Sequence, residues 1–78
     1  MTVAITGADG FLGRGLVAAL ARDGVPVTAI DLRPVPVERG LPGVAYHALD
    51  VRDAALADAL AGAHTVVHLA SVVTPPPG

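Results

Sequence analysis

Short apolar runs and helical spacings alternate along this chain of 78 residues. Thr2 to Thr6 sets Val3 and Ile5 on one face, the period-2 pattern of a strand. From Phe11 to Asp23, Leu12, Leu16, Ala19 and Leu20 recur at helical spacing, which predicts a helix with Gly24 as its left-handed stop. Gly13 and Gly15 inside that helix each cost on the order of 1 kcal/mol against alanine. Tight packing of helix on strand gives a reason at Gly13, and close helix–sheet contact a weaker one at Gly15. Val25 to Ile30 reads as a second strand with Pro26 tolerable at its start, and Asp31 ends it. Leu32 to Gly43 holds Pro34, Pro36 and Pro42 with two glycines and no periodicity, so it reads as a loop. Val44 to Leu49 predicts a third strand. Asp53 is placed to cap a short helix, Ala54 to Ala61, with Leu56 and Leu60 on one face and Gly62 closing it. Thr65 to Ala70 is nearly continuous in apolar residues, as in a parallel strand buried on both faces, and Ser71 to Gly78 is a proline-rich tail.

Strands alternating with helices imply an α/β fold with right-handed crossovers and a parallel sheet of four strands in the order 3-2-1-4. That is the N-terminal part of a Rossmann-type doubly wound sheet, carried one step across its switch point. The fourth strand would then lie at an edge, which its apolar character disfavours in a complete protein.

The first strand runs straight into Thr6-Gly7-Ala8-Asp9-Gly10-Phe11-Leu12-Gly13 and then into the first helix. Gly7 permits the sharp turn, Gly10 keeps a side chain out of the way of a pyrophosphate, and Gly13 lets the helix pack closely on the strand. The N–H groups at the helix start, around Phe11 and Leu12, offer donors and a partial positive charge to an anion. The spacing T-G-x-x-G-x-x-G resembles the extended branch of the short-chain dehydrogenase/reductase superfamily, the NAD-dependent epimerase/dehydratase family of sugar-nucleotide enzymes. The resemblance covers the whole chain but only the first third or less of a usual family member. Residues 1–78 are therefore expected to be the N-terminal part of an NAD(P)-binding domain, with the rest of the domain and the substrate region absent. The loop from Leu32 to Gly43 stands where such folds often place a helix.

Other candidate site residues follow from the same frame. Asp31, 18 residues after Gly13, could accept both hydroxyls of an adenosine ribose, which favours NAD over NADP; equally, aspartate often ends a strand. Arg33 could accept a 2′-phosphate or stack on adenine. Asp50 could be a turn residue before the helix capped by Asp53. The resemblance instead implies that Asp50 accepts from the adenine amine while Val51 lies against the ring. His68-Leu69-Ala70-Ser71 is similar to the H-L-A-A stretch that ends the fourth strand in this family. That similarity implies that the backbone at Leu69, Ala70 and Ser71 passes the nicotinamide ribose and pyrophosphate. His68 itself is assigned no chemistry. His64 and His68 on one strand would stand about 13 Å apart in rise, too far for one ion, so no metal site is expected.

The resemblance also says what is missing. The superfamily works through a tyrosine and a lysine four residues later, the lysine lowering the tyrosine pKa. This sequence has no lysine, and its one tyrosine, Tyr46, falls in the third strand, so no catalytic residue is assigned. The implied function is the NAD(P)-binding part of an epimerase/dehydratase-type oxidoreductase acting on a nucleotide sugar or related carbinol. The alternatives are a non-catalytic NAD(P)-sensing module and an inactive truncated fragment.

Composition sharpens this picture. Apolar residues make up 53% and charged ones 15%, against a usual charged share of about 25%. Such a balance suits a piece of a larger core. Net charge of −2 without a basic run argues against nucleic acid and anionic membranes. The absence of cysteine removes disulfides and thiolate chemistry. With a first strand beginning at Thr2 and no long apolar run, a cytoplasmic protein is expected, the full-length form a candidate homodimer.

Overall fold

The computed structural model describes residues 1–50 and 52–69. Its elements are β1 (Val3–Thr6), α1 (Phe11–Arg22), β2 (Val27–Asp31), a single 3-10 turn (Val37–Arg39), β3 (Val44–Ala48), α2 (Ala55–Leu60) and β4 (Thr65–His68). The sheet order is β3-β2-β1-β4, every pair parallel, as the alternating pattern predicts. In register, Val3 stands beside Val27 and Thr65, and Asp31 beside Ala48. No helix among the described residues is long and apolar enough to cross a membrane.

Among the described residues the buried apolar ones are Val3, Ala4, Ile5, Ala8, Val17, Val27, Ala29 and Ile30, all from β1, the turn after it, α1 and β2. Two central strands and one helix therefore make the core. Leu16, Leu20, Val44, Tyr46, Val67 and Leu69 pack half-buried around it. β4 takes the edge position that the order 3-2-1-4 implies, with Val66 40% exposed.

The boundaries have local physical causes. α1 ends in a Schellman arrangement: Gly24, at φ 77°, donates its N–H to the Ala21 carbonyl, and Val25 donates to Leu20. That engages Val25, and Pro26 has no N–H, so β2 starts at Val27 and not at Val25. β2 then runs through Asp31, whose carbonyl accepts the Leu49 N–H at 2.8 Å. In α1 the inward face is Gly13 and Val17, flanked by Leu16 and Leu20, whereas Leu12 is 70% exposed. Gly15 is a correction. It lies on the exposed face, and a Cβ there would meet nothing within 4 Å, so close helix–sheet contact does not explain it. α2 keeps its expected cap, since Asp53 Oδ1 accepts the Ala55 N–H at 2.9 Å.

Candidate functional site

β1 delivers its C-terminal end to a tight turn held by its own backbone. Gly7 takes φ 72°, a left-handed value that a side chain would strain. Gly10 donates its N–H back to the Gly7 carbonyl at 3.1 Å, and Ala8 donates to the Ile30 carbonyl at 3.1 Å, fastening the turn to β2. A Cβ on Gly13 would collide with the Gly7 carbonyl oxygen and lie 2.7 Å from the Ala8 Cα, so the helix approaches the turn more closely than any other residue allows. Gly10 is less constrained from within, a Cβ there standing 3.3 Å from the Gly7 oxygen.

Gly10 precedes α1 with extended backbone, no side chain caps the helix start, and no acidic residue stands in its first turn. The first helical bond closes from the Arg14 N–H to the Gly10 carbonyl at 2.9 Å. The N–H groups ahead of it, at Phe11, Leu12 and Gly13, have no partner of the i to i−4 kind inside the helix. They sit where the macrodipole is positive. Phe11 is 94% exposed, so its side chain adds nothing to the packing of the turn.

Asp31 meets this turn from the neighbouring strand. Its Oδ2 accepts the Asp9 N–H at 3.0 Å and its Oδ1 accepts the Arg33 N–H at 3.2 Å. Each oxygen keeps a further lone pair for a hydroxyl donor. Gly7, Gly10, Gly13, Asp31 and Arg33 thus gather at the C-terminal ends of β1 and β2, the edge where open parallel sheets take ligands. Arg33, Asp31 and Tyr46 line a recess of about 210 Å³ there. Asp50 follows β3 and is engaged by its own chain. Arg52 donates its N–H and Nε to Oδ1 at 2.8 and 3.1 Å and its Nη2 to Oδ2 at 2.8 Å. Those hydrogen bonds, the side-chain ones first, bring the Asp50 carboxyl down to about 2. Leu69, just past β4, donates its N–H to the Thr6 carbonyl at 3.0 Å and packs on the core. Val51, Ala70 and Ser71 lie outside the described residues.

Three features carry no clear signal in the sequence. Asp9, its side chain only 8% exposed, accepts on Oδ1 from Arg14 Nε at 3.1 Å and from Arg39 Nη1 at 3.3 Å. The Arg14 hydrogen bond, helped by Arg39 and against burial, holds the Asp9 carboxyl below its ordinary value. Arg14 lies five positions after Asp9 and could be suspected; Arg39 arrives across 30 residues, and no local spacing announces it. The Arg52 clasp is legible only in hindsight as a basic residue two after an acid. The third feature is the buried Thr6 hydroxyl, which meets His68 Nδ1 at 2.9 Å, a contact across 62 residues that the strand register creates.

A glycine turn of this spacing, joined to a carboxylate on the next strand, narrows the choice of families. The sequence model of the NAD dependent epimerase/dehydratase family matches residues 3–77. The chain belongs to that family. Among solved structures, it is 36% identical to MoeE5 in complex with UDP-glucuronic acid and NAD, over 88% of this chain and 22% of that one, with a TM-score of 0.76. A short-chain dehydrogenase/reductase superfamily protein from Agrobacterium tumefaciens with bound NAD is 33% identical over 99% of this chain and 22% of that one, TM-score 0.81. Uronate dehydrogenase from Agrobacterium tumefaciens is 31% identical over 87% of this chain and 25% of that one, TM-score 0.74. No curated protein matches. The chain thus spans 22–25% of the length of these family structures, and its sheet is of the Rossmann type they share.

Proposed function

We propose that residues 1–78 form the cofactor-holding N-terminal part of an epimerase/dehydratase-type oxidoreductase that uses NAD. The observation that carries this is the Asp9 N–H bond to Asp31 Oδ2, which joins the glycine turn to the carboxylate of the next strand as one unit. The residues present fit a dinucleotide. The first turn of α1 is uncapped and free of acidic side chains, so its N–H donors face a diphosphate with no carboxylate of that turn against it. Asp31 supplies a negatively charged acceptor whose two oxygens are aimed by the Asp9 and Arg33 amides.

In the mechanism, Gly10 leaves the approach to the helix start clear and Gly13 keeps that start pressed on β1. The Phe11, Leu12 and Gly13 amides would neutralise diphosphate charge, Asp31 would accept from ribose hydroxyls, and Arg33 would serve the adenine side. Asp50 would accept from the adenine amine, and the backbone at Leu69 would pass the second ribose. The bound dinucleotide supplies a hydride acceptor for a substrate carbinol. The acid–base group for that oxidation is not assigned within these residues, since Tyr46 Oη accepts the Leu41 N–H at 3.1 Å beside the core and no lysine accompanies it. A nucleotide sugar or a uronate is the substrate class best supported, by likeness to MoeE5, solved with a UDP-sugar acid, and to uronate dehydrogenase.

Calorimetric titration with NAD and NADP, of this chain and of the full reading frame that contains it, tests the proposal. NAD should bind more tightly than NADP. Asp31→Ala should weaken NAD by about tenfold, the worth of a hydrogen bond to a charged group, and narrow the preference. Equal affinities before and after the substitution would remove Asp31 from the ribose site.

A further inference from the structure

Resting on the reading of this turn as a dinucleotide site, we infer that Asp9 is a second determinant of selectivity against a 2′-phosphate, acting as a positioning residue on Arg14 and Arg39. Asp9 stands between Gly7 and Gly10, and its own N–H is bonded to Asp31 Oδ2 at 3.0 Å. The Asp9 and Asp31 carboxylates therefore flank a single peptide N–H. Two cations from separate elements converge on that spot, Arg14 from α1 and Arg39 from the loop between β2 and β3.

Both guanidiniums share one Asp9 oxygen, and they keep side-chain exposures of 58% and 40%. Each guanidinium has five N–H donors in a planar fork that matches a phosphate, and the Asp9 contact uses one of them. With Asp9 ionised, the two arginines are drawn toward its oxygen and part of their charge is cancelled. A phosphomonoester beside Asp31 then meets a second carboxylate and two arginines held and partly neutralised by it, instead of two unopposed cations. Without that charge, Arg14 and Arg39 would be free to swing toward a phosphate on the ribose. The same contact ties the loop carrying Arg33 to the glycine turn and lines an open recess of about 260 Å³ with Val35, Leu41 and Tyr46. A purely structural role for Asp9 would affect both dinucleotides alike, whereas a selectivity role changes their ratio.

The test is the ratio of NAD to NADP dissociation constants in the full-length protein carrying Asp9→Asn, a near-isosteric change that removes the charge and keeps one acceptor oxygen. NADP should gain about tenfold relative to NAD. Adding Arg14→Ala and Arg39→Ala to that background should cancel the gain. A ratio unchanged in Asp9→Asn, or a gain that survives loss of both arginines, overturns the inference while leaving the cofactor assignment standing. Failure of the unsubstituted full-length protein to bind either dinucleotide overturns both. If Asp9→Asn does not fold, Arg39→Ala alone probes the same contact from the other side. It leaves Asp9 less compensated, so preference for NAD should rise and Arg39→Lys should restore the original ratio; no change in Arg39→Ala defeats the inference.

Discussion

A Cβ on Gly13 would fall against the Gly7 carbonyl and 2.7 Å from the Ala8 Cα, whereas one on Gly15 would meet no atom within 4 Å. Gly13→Ala should therefore push α1 off the turn and cost about 1–3 kcal/mol, the range for overpacking. Gly15→Ala should stabilise by about 1 kcal/mol, since it removes a helix-interior glycine with nothing to displace. Urea midpoints moving in opposite directions would check both. The motif spacing made Gly13 legible in the sequence. Gly15 was not, because a list of apolar positions leaves open which helix face a small residue occupies. Asp50 offers a second test at this scale. Its carboxyl is lowered from 3.8 to about 2 by Arg52, so its contribution is fully present above 3.8 and is lost as pH falls through about 2. NMR titration of the Asp50 carboxyl should show that midpoint, and Arg52→Ala should return it toward 3.8.

Among the elements, α2 is the one held most locally. It has six residues, none buried, and its start is fixed by Asp53, whose Oδ1 takes the Ala55 N–H. Asp53→Ala should cost about 1 kcal/mol of helix stability. It should speed amide exchange at Ala55 and Leu56, while Asp53→Asn should keep the protection; equal exchange in all three proteins would deny the cap. The existence of each strand and α-helix could be read from the chain because period 2 and period 3.6 differ plainly over these stretches, whereas the 3-10 turn at Val37–Arg39 lies in a stretch without periodicity. Their ends were less legible. The start of β2 is decided by the Val25 N–H, which α1 claims for the Leu20 carbonyl, and by Pro26, which has none to give. No count of apolar positions contains that competition.

For the molecule as a whole, the order β3-β2-β1-β4 followed from parallel crossovers and was legible, while the long-range ties among side chains were not. Arg39 on Asp9 and His68 on Thr6 exist only once the sheet has brought distant segments together. β4 adds an apolar edge with Val66 40% exposed, surface of a kind that further strands and helices of a longer chain would cover. The central position of β1 has a consequence in time. It is synthesised before the three other strands described, yet Val3 pairs with Val27, 24 positions on, and with Thr65, 62 positions on. Closing the longer loop costs about 0.8 kcal/mol more than the shorter one by chain entropy alone. Pairing of β1 with β2 beneath α1 is therefore expected to precede docking of β4. Val27→Ala should slow refolding, and Val67→Ala should mainly speed unfolding, in stopped-flow denaturant jumps. On a ribosome the same order leaves the β4 side of β1 vacant until β4 has emerged, a wait in which a neighbouring nascent chain competes for the open strand.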